Sequence, residues 1–102
     1  MKLQFKNQTV NIKCNYCRKV FGVSRDTFEH TVDCVQQRAV GPEYEHSLCW
    51  RGECPECQKK IYLEVVAWEY PEECLNYNEN YLTGATIETN ELELVKEVNV
   101  ND

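Results

Sequence analysis

Two short dithiols, Cys14-Asn15-Tyr16-Cys17 and Cys54-Pro55-Glu56-Cys57, carry the clearest chemistry in this sequence. Thiolates two residues apart can turn toward one ion at a tight turn, and two such turns complete the tetrahedral Cys₄ shell that zinc prefers. The ligand set expected is therefore Cys14, Cys17, Cys54 and Cys57 around one Zn²⁺, split into halves by 36 intervening residues. A metal held by four cysteines has no open position for water or substrate, so the site is expected to be structural. A disulfide-exchange role for Cys54-Pro55-Glu56-Cys57 would need that dithiol to open a helix after a strand, with a lowered thiol pKa. The residues that follow it are β-rich instead.

His30, Cys34, His46, Cys49 and Cys74 are the other candidate ligands. The first four would make a chemically reasonable second zinc site if residues 30 and 34 shared a helix face. Residues 46 and 49, three apart on a strand, would instead point to opposite faces. Buried thiols packing as small hydrophobes are the simpler expectation, and His46 and Cys49 could also support the first metal as outer-shell groups. Neither histidine has an identifiable nucleophile, no Gly-rich loop precedes a helix, and the carboxylates are scattered, so no enzymatic activity is expected.

The elements that must position the dithiols read mostly as strands. Leu3, Phe5, Val10 and Ile12 lead into Cys14, and the run 18–23 leads out of Cys17, giving a hairpin with the first dithiol at its tip. Alternation of Tyr44, His46, Leu48 and Trp50 with more polar residues leads into Cys54, and the long apolar run 61–70 leads away to Pro71. Between these hairpins, Phe28, Val32, Val35 and Ala39 fall at helical spacing, with Asp26 and Glu29 suited to a capping box and Gly41-Pro42 to a stop. Thr27, Thr31, Val32 and Val35 are β-branched and oppose that reading, so 24–40 is open between helix and strand, with a helix at about 26–39 preferred. The asparagine-rich 72–80 reads as loop, 81–87 and 92–95 as final strands, and 98–102 as a frayed tail.

One domain of 102 residues, 1–102 without a linker, has a limited core that a metal crosslink would reinforce. The N-terminus offers no apolar secretory run, and seven cysteines is an odd count for a disulfide framework; a reducing, cytoplasmic location is expected. No stretch approaches the roughly 18 apolar residues of a membrane span. Seventeen acidic side chains face eleven basic ones for a net −6, and a tetrathiolate zinc adds another −2. Such a charge disfavours a phosphate backbone and suits a basic partner or simple solubility.

Paired Cys-x₂-Cys turns at strand ends, across roughly 9–70, resemble the zinc-ribbon family, which implies two antiparallel hairpins clasping one zinc. The separation of the dithiols is longer than in compact ribbons, and Arg18 and Gln58 stand where such knuckles often place glycine. Tyr44-Glu45-His46, Cys54-Pro55-Glu56-Cys57 and Trp68-Glu69-Tyr70-Pro71 are also similar to small uncharacterised bacterial two-dithiol proteins, a resemblance that names no activity. The function expected is an acidic protein–protein interaction module, in its sharpest form an immunity or inhibitor protein against a basic toxin or nuclease. Two alternatives stand: a nucleic-acid-binding ribbon or regulatory accessory subunit, using Lys13, Arg18, Lys19, Arg25, Lys59 and Lys60, and rubredoxin-like electron transfer with iron in the same four thiolates.

Overall fold

Residues 1–96 are described by a computed structural model. They form nine strands: β1 (Lys2–Phe5), β2 (Thr9–Cys14), β3 (Val20–Ser24), β4 (Glu29–Arg38), β5 (Gly41–Glu53), β6 (Lys60–Glu69), β7 (Leu75–Thr83), β8 (Ala85–Ile87) and β9 (Leu92–Val95). The tail expected at 98–102 lies outside these residues. All pairings are antiparallel: β4-β5-β6-β7 make a meander, β3-β2-β8 a second sheet, and β1-β9 a ribbon. The molecule measures 48 × 30 × 18 Å, and its thin dimension is that of two stacked β-layers, which pack about 10 Å apart.

Alternation along the long strands decides which side is covered. On β5 and β6, His46, Leu48, Ile61, Leu63, Val65 and Ala67 are buried on one face of the meander. Leu3, Phe5, Val10, Ile12 and Ile87, from β1, β2 and β8, join the apolar residues of that face in one core cluster. Phe5 meets Phe28 with ring centroids 5.0 Å apart, a tilted aromatic contact that ties the ribbon to the start of β4. The mostly-β antiparallel fold expected from the sequence is the one found, with the two dithiols at the ends of hairpins β2-β3 and β5-β6.

Two sequence expectations are corrected. The helix at about 26–39 is absent: a single 3₁₀ turn, Arg25–Thr27, is capped by the Ser24 hydroxyl accepting from the Asp26 N–H, and the chain then enters β4. Val32 and Val35, which suggested an apolar helical stripe, are exposed at 40% and 44%. β4 pairs with β5 from Glu29 to Arg38, with one irregularity at Val35 between Cys34 and Gln36, and Thr31 and Val32 fit the pleat. Likewise the loop expected over 72–80 is mostly β7, because pairing with β6 overrides the turn preference of its asparagines. Among the described residues, no helix is long and apolar enough to cross a membrane.

Candidate metal centre

The two dithiol turns are built alike. In the first, the Cys14 N–H donates to the Lys19 carbonyl at 2.9 Å and the Arg18 N–H to the Cys14 carbonyl at 3.1 Å. In the second, the Cys54 N–H donates to the Lys59 carbonyl at 3.0 Å and the Gln58 N–H to the Cys54 carbonyl at 2.8 Å. Arg18 and Gln58, the residues at the expected glycine positions, take φ values of 67° and 64°. The knuckle conformation is thus kept without glycine, each side chain accepting the left-handed geometry that glycine adopts freely.

This repetition brings all four sulfurs together. Cys14 Sγ lies 3.6 Å from Cys57 Sγ, Cys17 Sγ lies 3.6 Å from Cys54 Sγ, and all four ligand atoms are within 4.8 Å of one another. A metal with bonds to sulfur of about 2.3 Å needs tetrahedral sulfur–sulfur edges of about 3.8 Å, so the spacing fits a metal ion. Cys14 and Cys54 are buried in the core, while Cys17 and Cys57 are partly open.

Electrostatics divides the thiols the same way. Cys14 is drawn down to about 6, chiefly by the Cys17 backbone N–H and then against burial by that of Tyr16. Cys54 is likewise pulled down, chiefly by the Cys57 backbone N–H and against burial. Cys17, though the Lys19 N–H favours its thiolate, is pushed up to about 12 by burial and the neighbouring sulfurs. Cys57 is raised in the same manner despite the Lys59 N–H. Each close pair therefore joins an easily ionised thiol to one that holds its proton, which is the arrangement of a thiolate–thiol hydrogen bond across the two knuckles.

A third element locks the knuckles. Gly84, between β7 and β8, accepts the Asn15 N–H of the first knuckle on its carbonyl at 2.9 Å. A Cβ on Gly84 would stand 2.7 Å from the Lys60 carbonyl, just past the second knuckle, and its φ is 84°. Cys14 itself pairs with Ala85. Sequence reasoning missed this role; the signal was a glycine inside a strand pattern, which marks a bend or a close backbone approach. Lys59 Nζ also sits 5.6 Å above the Tyr16 ring, joining one knuckle to the other.

The second candidate set is not assembled as a metal site. His46 spends both ring nitrogens, with Nδ1 2.9 Å from His30 Nε2 and Nε2 2.7 Å from Glu69 Oε1. Cys49 is on the opposite face of β5, beside Ser47, Tyr62 and Glu64, and Cys34 is exposed near Gln36 and Gln37. Cys74 is exposed in the turn before β7, where its N–H donates to the Pro71 carbonyl. Among the described residues, the four knuckle cysteines are the group whose ligand atoms gather closely enough for one ion.

Fold and site together define a small, mostly-β protein whose two dithiol knuckles form a zinc-ribbon-like cluster able to hold a metal ion. Comparisons with protein-family models, with curated proteins and with solved structures returned no match.

Proposed function

We propose that this chain is a zinc-clasped interaction module that binds a basic protein, in a reducing compartment, through its acidic sheet. Zinc is the metal proposed because the set is four thiolates with no fifth donor, and because a closed shell suits a crosslink in a small fold. The observation that carries the reading is the division of charge. Residues 13–20 and 51–60, which the clasp brings together, hold six cations and two carboxylates, a formal +4 with the cysteines counted neutral and +2 once four thiolates hold Zn²⁺. The rest of the chain carries −10, which brings the whole to −6. An acidic body of this kind attracts a basic partner over a distance and holds it in register. An immunity or inhibitor role follows naturally, with the acidic sheet covering the basic substrate cleft of a toxin or nuclease; binding rather than catalysis is the activity proposed.

The test is capture with the metal-loaded chain, followed by titration with the purified captured protein. A complex with a basic protein that weakens as salt rises is expected. If nothing basic stays bound at low salt, the reading falls.

A second reading rests on the positive end itself. Arg18, Lys19, Lys59 and Lys60 are exposed there around Tyr16, which is 59% exposed, a grouping able to stack a base and follow a phosphate backbone. Salt-dependent binding of single-stranded DNA or RNA, lost in Tyr16→Ala and Lys59→Ala, would favour this reading over the first. Iron in the same thiolates for electron transfer would declare itself as colour in protein grown with iron.

A further inference from the structure

The face of the β4-β5-β6-β7 meander turned away from the core is laid out in cross-strand rows. One row runs Asp33, Glu45, Trp68, Tyr77; the next Thr31, Ser47, Val66, Glu79; the third Glu29, Cys49, Glu64, Tyr81. At the knuckle end Arg51 stands opposite Tyr62, and Glu53 opposite Lys60. Before that end is reached, five carboxylates and three aromatic rings share the three rows without a cation. Tyr77 and Tyr81 are 53% and 50% exposed. Trp68 and Tyr77 stack with centroids 4.5 Å apart and planes 13° apart, which holds both rings in place. The Tyr81 hydroxyl donates to Glu79, fixing a third ring beside a carboxylate.

Rings and carboxylates side by side have a specific complement. A guanidinium can lie flat on an aromatic face while its fork of N–H donors engages a carboxylate; an ammonium, a strongly hydrated point charge, does this less well. The chain already contains one such unit: Arg38 lies 3.9 Å over the Tyr70 ring with its Nη1 3.4 Å from Glu43 Oε2. Arg51 over Tyr62, at 5.1 Å, is a looser example. On the outward face the same two components recur without a resident arginine, as Trp68 beside Glu45 and as Tyr81 beside Glu64.

We infer that this face docks an arginine-bearing extended segment of a partner protein, with guanidinium groups seated at Trp68/Glu45 and Tyr81/Glu64. This rests on the reading of the chain as a binder of basic proteins and names the surface and the recognised side chain. The two seats are four residues apart along β6, about 13 Å, the spacing of every fourth residue in an extended segment. A nucleic acid is opposed here by five carboxylates. Two copies meeting through this face would oppose like charges, although the positive knuckle end of one copy could approach the acidic face of another.

The experiment titrates the metal-loaded chain with a soluble peptide carrying two arginines four residues apart, and with the same peptide carrying lysines, while following backbone NMR shifts. Binding of the arginine peptide with shifts centred on rows 64, 68, 77 and 81 is expected, and weaker binding of the lysine peptide by about fivefold. Trp68→Ala is expected to weaken the arginine peptide by about tenfold or more. Glu64→Gln, which changes no packing volume, is a second variant should Trp68→Ala disturb the fold. Equal affinity for both peptides, shifts elsewhere, or unchanged binding by both variants overturns the inference, as does salt-sensitive self-association that blocks the peptide. A captured basic protein whose affinity ignores both variants would leave the broader reading standing and remove this surface from it.

Discussion

Arg18 and Gln58 pay a conformational cost that glycine would avoid, since each holds a positive φ within its knuckle. Their replacement by glycine is expected to stabilise the protein by about 0.5–1 kcal/mol each, the left-handed penalty less the extra chain entropy that glycine loses on folding. Denaturant unfolding of Arg18→Gly and Gln58→Gly checks this. At Gly84 the sign reverses: Gly84→Ala places a methyl against the Lys60 carbonyl at a left-handed φ and should cost about 1–3 kcal/mol in the same assay. Proton linkage at the cysteines is equally specific. Metal ligation requires thiolates, so uptake near neutral pH should release at least the protons that Cys17, at about 12, and Cys57, also raised, retain in the metal-free site. Cys14, depressed to about 6, is already ionised above that value and releases none. Its thiolate contribution is lost as pH falls through about 6, so apparent metal affinity should fall more steeply with acidification below that point than above it. Metal titration followed in weakly buffered dye solution at several pH values measures both effects.

At the level of elements, the polar chain through His46 shows how the strands are fixed to one another. The Leu3 N–H of β1 reaches His30 Nε2 of β4 at 3.3 Å, His30 meets His46 of β5, His46 meets Glu69 of β6, and Glu69 Oε2 accepts the Glu73 N–H beyond β6 at 2.7 Å. His46 and Glu69 are enclosed, so removing His46 leaves the buried Glu69 carboxylate with the Glu73 N–H and no side-chain partner for its other oxygen. His46→Leu alone is expected to cost about 3–5 kcal/mol, while the joint His46→Leu and Glu69→Leu replacement should cost much less than the sum of the two single changes. A double-mutant cycle by chemical denaturation measures the difference. The knuckle strands and the long β6 were legible in the sequence because their alternation and dithiol turns are local signals. β4 was not, because Val32 and Val35 mimic a helical stripe although both are exposed, and the strand is decided by its partner β5. β7 was hidden for a related reason: Asn76, Asn78 and Asn80 describe a loop until β6 supplies the ladder. The partnership of His30, His46 and Glu69 was equally beyond reach, since it depends on the register of β4, β5 and β6.

For the whole molecule, the four-cysteine cluster joins a small second sheet to a long meander. Four cysteines from two hairpins converge although 36 residues separate the dithiols, and this part of the site was readable from spacing alone. The Gly84 lock and the separation of a positive knuckle end from an acidic body emerge only when the chain is folded. A crosslink of this kind should supply a large share of the stability of a 102-residue chain whose core is limited by its size. The most direct test is thermal unfolding of one preparation before and after complete chelation, with metal content measured on both. One zinc per chain, a large loss of melting temperature on removal, and recovery on adding back one equivalent are the results this account predicts. An unchanged melting curve in protein shown to be free of metal would contradict it.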